Sequence, residues 1–343
     1  MQYNNLSNTG LLVSELCMGT MTFGGKGRWT AIADRSYEDS KQLMKVAFDH
    51  GINFFDNANA YSEGLAEEIM GKAIKDLGIQ QSELVIATKL RIRMGEGVNQ
   101  VGLSRAHIHD SVTASLERTQ LDHIDLLYIH GVDAITPLEE TMRGLEDEVR
   151  SGRVRYIGVC NHPAWMVAKA NGIADKMGWT KFTALQYYYS LAGRDIENTI
   201  LPFAQAENLS VLPWSPLVGG FLSGKYDRNT EKAGDSRRDD FDFPPIDKEK
   251  AYDIIDVMKE IAQAKNVSVA QIALRWVMQQ SGVDSTIIGA RTEKQLKDNI
   301  GATAMQLTQE ELDKLHEVSQ IPTPYPQWMV AFQGQDRFPS KEV

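Results

Sequence analysis

The apolar positions of this chain recur in two alternating rhythms. Short aliphatic and β-branched runs of strand length are each followed by a longer stretch whose apolar positions return every three to four residues. The short runs predict strands over Leu16–Met21, Ile52–Asp56, Leu84–Lys89, Ile124–His130, Val154–Cys160, Phe182–Gln186, Ser210–Trp214 and Ser285–Gly289. The longer stretches predict helices over Ser36–Asp49, Gly64–Leu77, Ser104–Thr119, Leu138–Arg150, Pro163–Met177, Ile196–Asn208, Lys248–Lys265, Val269–Gln280 and Thr292–Ile300. Pro163 suits a first helical turn, where its missing amide hydrogen is not needed. A last helix is expected from Thr308, whose Thr-Gln-Glu-Glu start reads as a capping box.

Repeated strand–helix units predict a parallel sheet covered by helices. Roughly eight strands is the number a closed (β/α)8 TIM barrel needs, and one such domain over residues 1–343 is expected. An open doubly wound sheet is the alternative. It often carries a Gly-x-Gly-x-x-Gly turn after its first strand. Here that position holds Thr22-Phe23-Gly24-Gly25-Lys26-Gly27, with the wrong spacing and no helix opening after it. Ahead of the first strand, Tyr3–Leu6 and Leu11–Val13 flank a turn at Asn8–Gly10, a β-hairpin placed to cap the barrel's bottom. The charged segment 225–247 follows the seventh strand and is expected to be a lid loop on the active-site face. Beyond the barrel the pattern predicts extra C-terminal helices and a tail, 321–343, over that same face.

Composition narrows the class. Apolar residues make up 42% of 343, enough for a large core without a disulfide or metal staple. The two cysteines, Cys17 and Cys160, exclude a disulfide framework and fit a reducing compartment. A net charge of -10 argues against a nucleic-acid partner. The polar start Met1–Asn5 lacks the features of a signal peptide. The long uncharged stretch Asn208–Gly224 is interrupted by Pro213 and Pro216 and cannot be a membrane span. A soluble, cytoplasmic protein is expected; a homo-oligomer is left open.

In a barrel of this kind, polar residues at the C-terminal strand ends are the candidates for chemistry. Those ends carry Asp56, Lys89, His130, Cys160-Asn161-His162, Gln186 and Trp214, and Tyr61 follows Asp56 closely. A phenol near pKa 10 is a poor acid at neutral pH. An adjacent ammonium lowers that pKa, and a carboxylate keeps the ammonium charged and in place. A histidine can orient a carbonyl oxygen by hydrogen bonding. Together they make a proton donor aimed at an oxygen that gains negative charge, the requirement of carbonyl reduction by hydride. Singly, a strand-end Lys or Asp is more often solvated or in a structural ion pair, and His130 or Tyr61 also reads as a core histidine or a loop tyrosine; the weight lies in their joint placement.

Several blocks resemble the aldo-keto reductases, especially the branch near potassium-channel β-subunit-like proteins and bacterial oxidoreductases. They are Phe55-Asp56-Asn57-Ala58-Asn59-Ala60-Tyr61-Ser62-Glu63-Gly64, Ala87-Thr88-Lys89, Tyr128-Ile129-His130, Gly158-Val159-Cys160-Asn161-His162, Trp214–Leu217 with Gly219–Tyr226, and Ile288–Asn299. The resemblance runs from Gly19 to Asn299. It implies an NADPH-dependent reductase of an aldehyde or ketone, needing no metal. Tyr61 would be the general acid, Lys89 and Asp56 its pKa-lowering partners, and His130 the carbonyl-orienting group. It also implies that Asn161 and Gln186 bind the nicotinamide carboxamide, and that Trp214 stacks on the nicotinamide ring. Gly19 and Thr20 would approach the nicotinamide ribose. Ser215, Leu217, Gly219 and Lys225 would line the pyrophosphate path. Gly289, Arg291, Gln295, Asp298 and Asn299 would hold the adenosine end. Arg291, just before a helix N-terminus, favours a 2′-phosphate and hence NADPH over NADH; a pyrophosphate contact or a solvated loop arginine are its other readings.

The chain departs from the family's pattern at Cys160, where Ser is frequent, and at Asn57, where many relatives have Thr. The four-residue catalytic set is complete. Two further readings stay open: a cofactor-binding regulatory subunit of the same fold, and an NAD(P)-linked sugar or alcohol dehydrogenase working oxidatively. Substrate choice is expected to lie with Thr22–Ala33, Met94–Val101, 225–247 and the tail, and with aromatic residues such as Trp29, Tyr188, Trp328 and Phe332.

Overall fold

The computed structural model describes residues 1–30, 32–230, 234, 238 and 241–334. Strands β1 (Tyr3–Asn5) and β2 (Leu12–Ser14) form the antiparallel hairpin, with Tyr3 opposite Ser14. Eight parallel strands follow: β3 (Leu16–Gly19), β4 (Phe54–Asp56), β5 (Val85–Leu90), β6 (Ile124–Ile129), β7 (Val154–Cys160), β8 (Phe182–Tyr188), β9 (Ser210–Trp214) and β10 (Thr286–Ile288). They neighbour one another in chain order, and β10 lies beside β3. The remaining seam, between β9 and the residues leading into β10, is bridged by Val211 N–H to Gly282 O at 3.1 Å and Asp284 N–H to Val211 O at 3.2 Å. The result is the nearly closed (β/α)8 barrel that the alternating pattern predicts.

Strand alternation sorts the apolar residues. Cys17, Phe54, Val85, Ala87, Leu126, Tyr128, Ala184 and Leu212 fill the barrel interior. Leu6 and Val13 of the hairpin join that cluster, so the hairpin plugs the barrel's bottom. The outward-facing residues meet the helices: Leu127, Ile129, Ile157 and Val159 pack with Ile108, Val112, Met142 and Leu145, and Phe55 and Ile86 with Leu43, Met44, Ile69 and Met70.

The helices are α1 (Tyr37–Asp49), α2 (Leu65–Leu77), α3 (Arg105–Thr119), α4 (Leu138–Arg150), α5 (Ala164–Met177), α6 (Ile200–Glu207), α7 (Lys248–Lys265), α8 (Val269–Met278), α9 (Glu293–Ile300), α10 (Gln309–Ser319) and α11 (Gln327–Gly334). Ser36, Ser104, Asp247, Ser268, Thr292 and Thr308 cap their helices by accepting a backbone N–H, and Thr308 forms the expected capping box with Glu311. Several boundaries differ from the sequence reading, two of them beside prolines. Pro163, with ψ 140°, precedes α5 rather than opening it. The helix expected over Ile196–Asn208 is broken into a single 3-10 turn, Asp195–Asn198, and α6. Pro202 is the physical reason: its ring would clash with the carbonyl four residues back, so a helix must restart with the proline in its first turn.

Of the expected lid loop 225–247, residues 231–233, 235–237 and 239–240 lie outside the described residues. Arg238 is buried and donates to Val218 O at 3.3 Å and Pro244 O at 2.9 Å. The end of the expected tail, 335–343, is likewise outside them. Within the tail, α11 exposes Trp328, Val330 and Phe332, and Gln327 donates to Asn198 O at 3.1 Å. Among the described residues no helix is long and apolar enough to cross a membrane.

Candidate active site

Asp56 ends β4, and the chain beyond it stays fastened to β5. Asn57 N–H donates to Ala87 O at 2.8 Å and Asn59 N–H to Lys89 O at 3.0 Å. The backbone then turns sharply, with Ser62, Glu63 and Gly64 all at positive φ (49°, 55° and 96°). Left-handed backbone is uncommon away from glycine and is held here by its surroundings. Ser62 Oγ donates to Phe23 O at 2.7 Å and accepts from Gly25 N–H at 3.1 Å. A Cβ at Gly64 would lie 2.7 Å from Arg118 Cδ. This turn delivers Tyr61 to the residues at the strand ends.

Lys89, fully buried on β5, is the hub. Its ammonium pairs with Asp56 Oδ1 and donates to Asn57 O at 2.7 Å and Tyr61 Oη at 3.3 Å. Three acceptors match its three hydrogens. The other Asp56 oxygen accepts from Gln186 Nε2 at 2.8 Å. Burial works against the Lys89 charge, yet the Asp56 carboxylate, with smaller help from Tyr61 and Cys160, more than offsets it and holds the ammonium above its usual range. Tyr61 differs from the sequence expectation of a lowered pKa. Burial raises its phenol above the ordinary value, and the nearby Lys89 charge counters that only in part.

His130 follows β6, and its N–H donates to Leu90 O at 2.8 Å. Its ring stands edge-on to Tyr61, 6.0 Å between centroids, while Trp29 stands edge-on to Tyr61 at 5.2 Å. Burial first, then Lys89, Arg91 and Arg28, pull the imidazole down to about 3, so it is neutral near pH 7. Its Nδ1 is buried without a protein partner. Cys160 ends β7; burial pushes its thiol up, leaving it protonated and a poor nucleophile. Asn161 adopts φ 56° and accepts from Trp214 Nε1–H at 3.2 Å. No cluster of three or more metal-ligating side chains occurs among the described residues.

Beside this cluster lies a cleft of about 310 Å³. Gly19, Trp214, Ser215, Leu217, Gly219, Lys225, Gly289, Arg291, Gln295, Asp298 and Asn299, all singled out from sequence, line it. The other three do not. Thr20 is buried and donates to Asp56 O, while Asn161 and Gln186 sit with the strand-end cluster. One wall is a compact turn in which Ser215 (φ 54°), Val218 (54°), Gly219 (64°) and Gly220 (99°) are all left-handed. Such a conformation is costly for the β-branched Val218. The opposite wall is braced by α9: Gln295 Oε1 accepts Arg291 N–H at 2.9 Å, Asn299 Nδ2 donates to Gly289 O at 3.3 Å, and Asp298 accepts from Ser268 Oγ at 2.7 Å.

Further neighbours complete the surroundings. Ala270 of α8 lines the cleft, although no motif marks it. Phe243, an aromatic residue inside a charged loop, stacks on Trp214 at 5.8 Å and 8° between planes, and Tyr188 lies tilted against the same indole at 5.3 Å. The Arg291 guanidinium pairs with Asp34, which also pairs with Arg35 at 2.7 Å. The Arg35 hydrogen bond and, behind it, Arg291 bring the Asp34 carboxyl down to about 2 against the opposing effect of burial.

The sequence profile described as the Aldo/keto reductase family matches residues 15–320. Among curated proteins, the chain is 36% identical over 328 residues to a "Probable voltage-gated potassium channel subunit beta" of Arabidopsis thaliana, covering 93% of this chain and 97% of that one. It is 34% identical over 335 residues to the "Versiconal hemiacetal acetate reductase" of Aspergillus parasiticus, covering 92% and 96%. A third relative, "Uncharacterized oxidoreductase YrpG" of Bacillus subtilis, is 36% identical over 328 residues, covering 93% and 96%. With its barrel matched from Glu15 to Gln320 and relatives aligned nearly end to end, the chain belongs to the aldo/keto reductase family.

Proposed function

We propose that this protein is an NADPH-dependent reductase of aldehydes or ketones, with Tyr61 as general acid. The observation that carries the reading is the buried Asp56–Lys89–Tyr61 relay beside a neutral His130. The lining of the cleft supports a dinucleotide as its ligand: it includes several glycines, Trp214 offers an aromatic surface, and Lys225 and Arg291 are cations suited to phosphate. When bound, NADPH supplies the hydride. Tyr61 gives its proton to the carbonyl oxygen, and the Lys89 ammonium stabilises the phenolate left behind. Asp56 and Gln186 keep that ammonium in register. Neutral His130 orients the carbonyl oxygen by a hydrogen bond, without adding a charge that would repel Lys89. Trp29 and the Tyr188–Trp214–Phe243 group offer an aromatic wall for substrate.

The test is the loss of NADPH absorbance with a panel of aldehydes and ketones, run beside NADH. Substrate-dependent NADPH oxidation, faster than with NADH, is the expected result. The likeness to potassium-channel β subunits supports a second reading, a cofactor-binding regulatory subunit. Tight NADPH binding without turnover on any carbonyl would favour it over the first.

A further inference from the structure

The Arg291 guanidinium does not face the cleft alone; it is paired with Asp34 at the rim. Resting on the NADPH reading above, we infer that Asp34 competes with the cofactor's 2′-phosphate for Arg291, and thereby sets how strongly NADPH is preferred over NADH. Four observations carry this. First, Asp34 has a second cation of its own: Arg35 Nε donates to Oδ1 at 2.8 Å and Nη2 lies 2.7 Å from Oδ2. The carboxylate therefore stays paired when Arg291 turns away. Second, the segment bearing Asp34 is fixed. Gly24 N–H donates to Arg35 O at 3.0 Å and Arg35 N–H to Thr22 O at 3.2 Å. Gly25, at φ 125°, lets the chain close so tightly that a Cβ there would lie 2.4 Å from Ala33 O.

Third, Arg35 Nη1 donates to Arg291 O at 3.1 Å, and Gln295 holds Arg291 N–H. The Arg291 backbone is thus anchored while its side chain can exchange partners. Fourth, about a third of each side chain of the pair is in water, 32% for Arg291 and 34% for Asp34. A solvent-screened pair of this kind is weak enough for a phosphate, with more charge and more acceptor oxygens, to displace it. An anion fixed at this rim still opposes the second anion, so its removal favours the phosphorylated nucleotide.

The test uses the full-length protein and two fragments of the adenosine end, 2′,5′-ADP and 5′-AMP, titrated by calorimetry. Asp34→Asn should bind 2′,5′-ADP about three- to tenfold more tightly than the native protein does, with 5′-AMP unchanged. Asp34→Ser is the second variant and should act in the same direction. Arg291→Ala should abolish the extra affinity for 2′,5′-ADP. Unchanged or weaker 2′,5′-ADP binding in both Asp34 variants overturns the competition; if the native protein still prefers 2′,5′-ADP, the NADPH reading stands without it. A native protein that binds both fragments equally, with Arg291→Ala changing neither, overturns the cofactor reading and the inference with it.

Discussion

At the scale of single residues, three protonation states meet in one buried cluster, two of them favoured by burial and one held against it. Lys89 stays charged because Asp56 faces it, Tyr61 stays a phenol, and His130 stays neutral. The pH–rate profile for carbonyl reduction should therefore show no inflection near pH 6.5, where an ordinary imidazole titrates. A clear step there would mean that His130 changes charge during turnover. The same residue links pH to stability. In the unfolded chain its imidazole takes up a proton near pH 6.5, which the folded site refuses until about pH 3. Its contribution is full above pH 6.5 and is lost as the pH falls towards 3. Between pH 7 and pH 5 the native protein should lose about 1 to 2 kcal/mol more in denaturant unfolding than His130→Asn does. Parallel losses would contradict the assigned burial. Residue types and order named these groups in advance. The direction of the Tyr61 shift was not legible, because the depth of burial that opposes Lys89 depends on the turn at Ser62–Gly64 and on Trp29, residues distant from Lys89 in the chain.

At the scale of elements, α2, which follows the Tyr61 turn, packs closely against α3. Gly71 of α2 lies so near α3 that a Cβ would sit 2.0 Å from Thr119 O. Gly71→Ala must push the two helices apart and should destabilise the fold by about 1 to 3 kcal/mol, read as a lower denaturant midpoint. An unchanged midpoint would show that the contact yields freely. Thr308→Ala, which removes half of the α10 capping box, should cost about 1 kcal/mol by the same assay. Element types and most boundaries were legible because each strand run and each helical stripe carries its own period. The exceptions have local causes. Pro202 splits one expected helix, and β8 runs on to Tyr188 because β9 continues to pair with it, Tyr187 opposite Pro213 and Tyr188 opposite Trp214. Asp34 could not be read as a partner of Arg291, since 257 positions separate them and only barrel closure brings β10 beside β3.

At the scale of the whole molecule, the barrel gathers Asp56 from β4, Lys89 from β5, His130 from the end of β6 and Gln186 from β8 at one mouth. The cleft opens beside them between the loops after β9 and β10. Eight strand ends converging on one rim explain why a list of residues from separate strand ends gathers at one place in the fold. What such a list lacks is the set of neighbours contributed by other segments, among them Phe243 of the loop after β9 and Ala270 of α8. The central claim is that Tyr61 supplies the proton while the cleft binds the cofactor independently of it. The most direct measurement is NADPH affinity and carbonyl turnover in Tyr61→Phe compared with the native protein. The account predicts turnover reduced at least about a hundredfold, with NADPH affinity within about twofold of native. Native-level turnover in that variant, or loss of NADPH binding together with turnover, would contradict it.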